Sequence, residues 1–90
     1  MNTAIVKRHK HIEPYDPIKL MRSIYSACLA VRTPAGEAEI TAKRIEHDVA
    51  LWARKKPEIT SHDIRIRAAE LLHTYNPHAA IVYKHHGIID

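Results

Sequence analysis

Three residue pairs, Asp16-Pro17, Thr33-Pro34 and Asn76-Pro77, each stand just ahead of an apolar stripe with helical spacing, and they constrain this chain more than any other feature. An Asp, Thr or Asn side chain accepts hydrogen bonds from the free N–H groups of a first helical turn. Proline suits the first helical position because the N–H it lacks would have had no partner there. After Pro17, the residues Leu20, Ile24, Ala27, Cys28 and Val31 share one face and predict a first helix over about 17–31. After Pro34, Ala38, Ala42, Ile45, Val49 and Trp52 predict a second and longest helix, ended by Lys55-Lys56-Pro57. The stretch "EITSHD" supplies a short extended piece and then Thr60 or Ser61 as a cap, with Asp63 favourable in the first turn. Ile64, Ala68, Leu71, Leu72 and Tyr75 continue it as a third helix. Pro77 opens a short fourth helix through Ala80, Ile81, Tyr83 and Lys84, with Gly87 suited to a left-handed stop.

Ahead of all this, "AIVKR" and "HIEPY" flank His9-Lys10 and read as a β-hairpin. A tight turn there wants Asn-Gly or Asp-Gly, so His9-Lys10 predicts a looser or strained one. Two strands alone are marginal in water, so the hairpin is expected to cover the helices, and "EIT" can add a third strand. The predicted fold is α+β and mostly helical: an N-terminal β-hairpin, extended to a small three-stranded sheet if "EIT" joins it, over a four-helix bundle.

Ninety residues, 46% of them hydrophobic and 27% charged, fit one domain over 1–90 with a small core of its own. A single cysteine, Cys28, supports neither an internal disulfide nor a cysteine-based zinc site, and it falls on the buried stripe of the first helix. No signal peptide or membrane-spanning run is visible, so the expected location is the cytoplasm. The net charge of +4 predicts an anionic partner: nucleotide, nucleic acid or an acidic protein face. With 2 glycines there is neither a P-loop nor a Gly-x-Gly-x-x-Gly turn, and a phosphate site would rely on side-chain cations and a helix N-terminus.

Such cations gather in "VKRHKHIEPYDPIKL", where Lys7, Arg8 and Lys10 precede Lys19 in the first turn of the helix capped by Asp16. A cation at a helix N-terminus opposes the macrodipole by about 0.3–1 kcal/mol, unless an anion binds beside it. Glu13 and Asp16 add acceptors able to take the exocyclic amino group of adenine. Residue types alone leave open a triphosphate site and a solvated hairpin whose charges pair with one another.

The order of the residues goes further. "IVKRHKHIEPYDPIKLMRSIYSAC" resembles the opening of the ATP-cone domain, an apolar pair, Lys-Arg, Asp-Gly, Glu-x-Phe/Tyr-Asp/Asn and Lys-Leu/Ile leading into an Ala-rich helix. "EITSHDI" is similar to the start of that family's third helix, and "AAIVYK" to its closing helix, so the likeness covers about residues 4–86. ATP-cones are regulatory modules of ribonucleotide reductases and of the bacterial repressor of the reductase genes. The resemblance implies binding of ATP or dATP, with Mg2+ and no redox cofactor, no catalysis, and a switch acting through homo-oligomerisation or a partner such as a reductase subunit. Carried over by position, Lys7, Arg8 and Lys19 would contact phosphates, and Ile5, Glu13 and Asp16 would shape and read the base pocket. Thr60, Ser61 and Arg65 fall where the family makes ribose or phosphate contacts. The chain departs from the pattern at His9-Lys10, at His78 and in its "HHGIID" ending. It is expected to be a free-standing module or one cut from a larger protein, its compact ends favouring the former.

The competing class is a small basic nucleic-acid-binding protein, with a degenerate cone serving as a protein-interaction adaptor as the third. Neither His85-His86 nor His9-x-His11 comes with a full ligand set, so no metal site is expected, and Trp52 and Tyr75 lie on stripes that predict core packing.

Overall fold

A computed structural model describes residues 5–8 and 11–87, with side chains from 14 to 85. Four helices dominate: α1 (Pro17–Ala30), α2 (Ala35–Arg54), α3 (Ser61–Tyr75) and α4 (Pro77–Gly87). The strand segments are β1 (Ile5–Arg8), β2 (His11–Pro14) and β3 (Ile59–Thr60). β1 lies between the other two, antiparallel to β2 with Val6 opposite Glu13, and parallel to β3 with Lys7 opposite Thr60. The turn expected at His9-Lys10 lies outside the described residues, as do the side chains of β1 and most of β2.

Caps explain why the helices start where they do. The Asp16 backbone is extended, and its Oδ1 accepts from the N–H groups of Ile18 at 3.1 Å and Lys19 at 3.2 Å. Thr60, rather than Ser61, caps α3 in a reciprocal pair: Asp63 N–H donates to Thr60 Oγ1 at 3.0 Å, and Thr60 N–H donates to Asp63 Oδ2 at 3.1 Å. Asn76 opens α4 by accepting from Ala79 N–H at 3.2 Å. The start of α2 departs from expectation. Pro34, not Thr33, is its N-cap, and no side chain caps it. Thr33 is held one residue too early: its N–H closes α1 onto Cys28 O at 3.0 Å, and its Oγ1 accepts from Asn76 Nδ2 at 2.9 Å.

The end of α1 is a Schellman motif, with Thr33 N–H on Cys28 O and Arg32 N–H on Leu29 O at 2.9 Å. Its left-handed position is filled by Arg32, with φ of 64°, where glycine is the usual occupant. Replacing Arg32 with Gly removes a Cβ clash worth about 1 kcal/mol, partly offset by the greater freedom of glycine in the unfolded chain. Arg32→Gly is therefore expected to raise the unfolding free energy by about 0.5 kcal/mol, readable from urea midpoints. Gly87 does not provide the left-handed stop expected of it. It is the last residue of α4, and no glycine among the described residues has positive φ.

The predicted stripes meet in one core. α1 packs on α2 and α4, and α3 packs on α2 and α4. Ile24, Cys28, Ala38, Ile45, Val49, Ala68, Leu72 and Ala79 are fully enclosed. Among the described residues, eight of the seventeen buried ones are alanines, so the helix backbones approach closely and a few large side chains fill the remaining space. Trp52 packs half-buried against this core. Tyr75 does not join it. At the last turn of α3 it is 44% exposed, with the Arg44 guanidinium 5.8 Å from its ring centroid.

Candidate functional site

Two helix N-termini emerge from the strands. β2 runs through Tyr15 and Asp16 into α1, and β3 runs directly into α3. The register sets Ile12, Lys7 and Thr60 in one row across the strands and Glu13, Val6 and Ile59 in the next. The backbones of Lys7 and Thr60 are thus neighbours, with Ser61 following. Ile5 is level with Pro14, beside the entry to α1, whereas Arg8 is level with His11 at the opposite end of the hairpin. At about 3.3 Å per residue, Arg8 lies roughly 10 Å further along β1 from α1 than Ile5 does. The side chains of Ile5, Lys7, Arg8 and Glu13 lie outside the described residues.

The remaining candidates are described in full. Asp16 is exposed, and both capping bonds fall on Oδ1, with no bond to Oδ2 among the described residues. Lys19 is exposed in the first turn of α1, a turn with no acidic side chain. Thr60 already accepts a bond at Oγ1, so toward a ligand its hydroxyl serves best as a donor. Ser61 and Arg65 are half-buried one helical turn apart on α3. Arg65 has an interaction partner of its own within the protein.

One polar pair at this site could not be read from the sequence. The Tyr15 hydroxyl donates to Glu46 Oε2 at 3.0 Å, joining the β2–α1 junction to α2 across 31 positions. Burial first, and then the Glu46 carboxylate, push the Tyr15 phenol far above its ordinary value of 10.0, with Tyr83 and Asp16 adding to the effect. Tyr15 is visible in the quoted stretch, but nothing local points to a partner on α2. Burial also raises the Cys28 thiol, consistent with an unreactive core residue.

A second polar cluster lies between α2 and α3. Lys56 Nζ and the Arg67 guanidinium lie 5.4 and 6.0 Å from the Trp52 ring centroid, beside a shallow groove of about 230 Å³ lined by Trp52, Asp63, Ile66, Arg67 and Glu70. Its size falls below the roughly 300–1,000 Å³ of small-molecule sites, and its acids are engaged with Thr60 and Arg67. Among the described residues no group of three or more His, Cys, Asp or Glu could hold a metal ion, and no helix is long and apolar enough to cross a membrane.

The profile of the ATP cone domain family matches residues 3–86. The chain belongs to the ATP-cone family. This ATP cone is also 39% identical over 61 residues to the transcriptional repressor NrdR of Roseiflexus sp. (strain RS-1). The match covers 68% of the chain and 39% of the relative's length. No solved structure matches it. Membership supports a regulatory module that senses adenine nucleotides, and it directs attention to the end of the ATP cone where the strands feed α1 and α3.

Proposed function

We propose that residues 1–90 form one non-catalytic regulatory module that binds ATP or dATP, with Mg2+, where the hairpin lies over the N-termini of α1 and α3. The observation that carries this reading is Lys19. It is an exposed cation in an acid-free first turn, in a chain whose family binds adenine nucleotides. A triphosphate there turns an unfavourable charge–dipole contact into a favourable one through the Lys19 side chain, the first-turn N–H groups of α1 being already held by Asp16. Lys7 and Arg8 reach the phosphates from β1, Ile5 lines the base pocket, and Glu13 with Asp16 Oδ2 reads the adenine amino group. Thr60, Ser61 and Arg65 approach the ribose or phosphates from α3. The neighbouring backbones of Lys7 and Thr60 support this division of labour. Lys7 and Lys19 are compact cations suited to a triphosphate–Mg2+ pair, and no geometry for the metal is implied.

The module regulates by preferring different assembly states with each nucleotide, either with itself or with a partner such as a ribonucleotide reductase subunit, and it works in the cytoplasm. NrdR, the relative, is a transcriptional repressor, so nucleic acid is the second partner class to test. Exposed Arg22, Arg32, Lys43, Arg44, Arg54, Lys55 and Lys56 are spread over α1, α2 and the turns beside them. A polyanion bound to them would dissociate steeply with salt and without preference for adenine.

Lys19→Ala separates the two effects of that side chain. Losing a charged phosphate contact is expected to weaken ATP binding about tenfold by calorimetry. Removing the opposed dipole is expected to raise the stability of the nucleotide-free protein by about 0.3–1 kcal/mol. Unchanged ATP affinity in both Lys19→Ala and Arg8→Ala would move the site elsewhere.

A further inference from the structure

We propose that the hydrogen bond from the Tyr15 hydroxyl to the Glu46 carboxylate fixes the β2–α1 junction to α2, which makes Tyr15 and Glu46 positioning residues for base recognition. The inference rests on the adenine-nucleotide reading above. Tyr15 lies between the two residues assigned to the base, two positions after Glu13 and one before Asp16. The other described side-chain bonds at this junction, from Asp16 to the amides of Ile18 and Lys19, are local to α1 and move with it. Only the Tyr15 bond reaches a separate element among those described. Glu46 follows the fully enclosed Ile45, so the acceptor sits on a stretch of α2 anchored in the core.

Burial alone does not account for the pair. The Tyr15 ring already packs against the core, and a phenylalanine would fill the same space without bringing a carboxylate into a half-buried site. What the hydroxyl adds is direction. It sets the angle at which the chain leaves β2, and with it the spacing of Glu13 and Asp16. Guanine offers a carbonyl where adenine offers an amino group, so acceptors held at a fixed spacing favour ATP over GTP.

Three variants test this: Tyr15→Phe, Glu46→Gln, and the double variant Tyr15→Phe/Glu46→Leu, each titrated with ATP and with GTP below its thermal midpoint. Tyr15→Phe leaves the carboxylate without its partner and is expected to lose stability as well as selectivity. The double variant makes both positions apolar and is expected to recover a midpoint near that of the parent. Its ATP-to-GTP affinity ratio is nonetheless expected to stay about 3- to 10-fold below the parent's, the loss of one oriented contact. Glu46→Gln, whose amide oxygen still accepts, is expected to keep the parental ratio within about twofold. A purely structural role would lower both affinities together and leave the ratio unchanged. A parental ratio in the folded double variant overturns the inference alone, whereas a parent that does not distinguish ATP from GTP overturns the adenine reading and this inference with it.

Discussion

Ile45→Ala is expected to lower the unfolding free energy by about 3–5 kcal/mol, in the upper half of the range for truncating a large buried aliphatic residue. The cost of such a change depends on how well its surroundings collapse into the space left behind. Ile45 is fully enclosed, and its own helix presents Ala38, Ala42 and Ala53 to the core while α3 and α4 present Ala68, Ala69, Ala79 and Ala80. Alanines have no rotamers with which to fill a gap, and the helices that carry them are already close. A domain of this length has roughly 5–13 kcal/mol of stability in total, so a loss of this size should leave a measurable unfolded fraction at 37 °C. The converse change, Ala68→Leu, forces the same close-packed backbones apart. It is expected to cost at least about 1–3 kcal/mol. Urea unfolding of both variants checks the argument, and an Ile45→Ala cost below about 1 kcal/mol would show that the core yields.

Asn76→Ala comes next, with an expected loss of about 2–3 kcal/mol from a single half-buried side chain. Asn76 ends α3 through its N–H on Leu72 O at 2.7 Å, starts α4 through Oδ1, and donates through Nδ2 to Thr33. Alanine retains only the first of these. Losing the cap costs about 1 kcal/mol, and losing the side-chain bond to Thr33 adds about 1 kcal/mol or more where the acceptor is left unpaired. Thr33→Val separates the two contributions. It removes the acceptor of Asn76 Nδ2 and leaves the Oδ1 cap of α4 in place, so it should lose about half as much. Thermal unfolding reads the difference, because 1 kcal/mol shifts the midpoint of a domain this small by about 4–8 °C.

These residues also mark where the sequence was legible. Cap-and-proline pairs are local signals, and Asp16-Pro17 and Asn76-Pro77 start helices where their chemistry says they should. Thr33-Pro34 carries the same signal, but Thr33 is claimed by a partner 43 positions away, which no local pattern encodes. The left-handed end of α1 was hidden because the residue there is Arg32 and not a glycine. Tyr75 kept the spacing of its stripe yet sits where the helix runs out of neighbours, and it turned outward to Arg44. At the candidate site, the order of residues in "VKRHKHIEPYDPIKL" carried the family, because the motif is contiguous. The Tyr15–Glu46 bond depends on α2 lying beside the junction and required the assembled fold.

The link between Thr33 and Asn76 has a mechanical consequence. Thr33 lies just beyond the C-terminal end of α1 and Asn76 just beyond that of α3, so one hydrogen bond pins together the ends of the two helices whose opposite ends begin at the strands. Were the two helices to tilt, the pinned turns would be the fulcrum and the helices the arms. At 1.5 Å per residue α1 and α3 are about 21 and 22 Å long, so a tilt of about 5° moves their N-termini by nearly 2 Å and the fulcrum hardly at all. A partner that grips the bundle near residues 33 and 76 would feel little of such a movement. One that grips it beside Asp16 or Thr60 would feel nearly all of it.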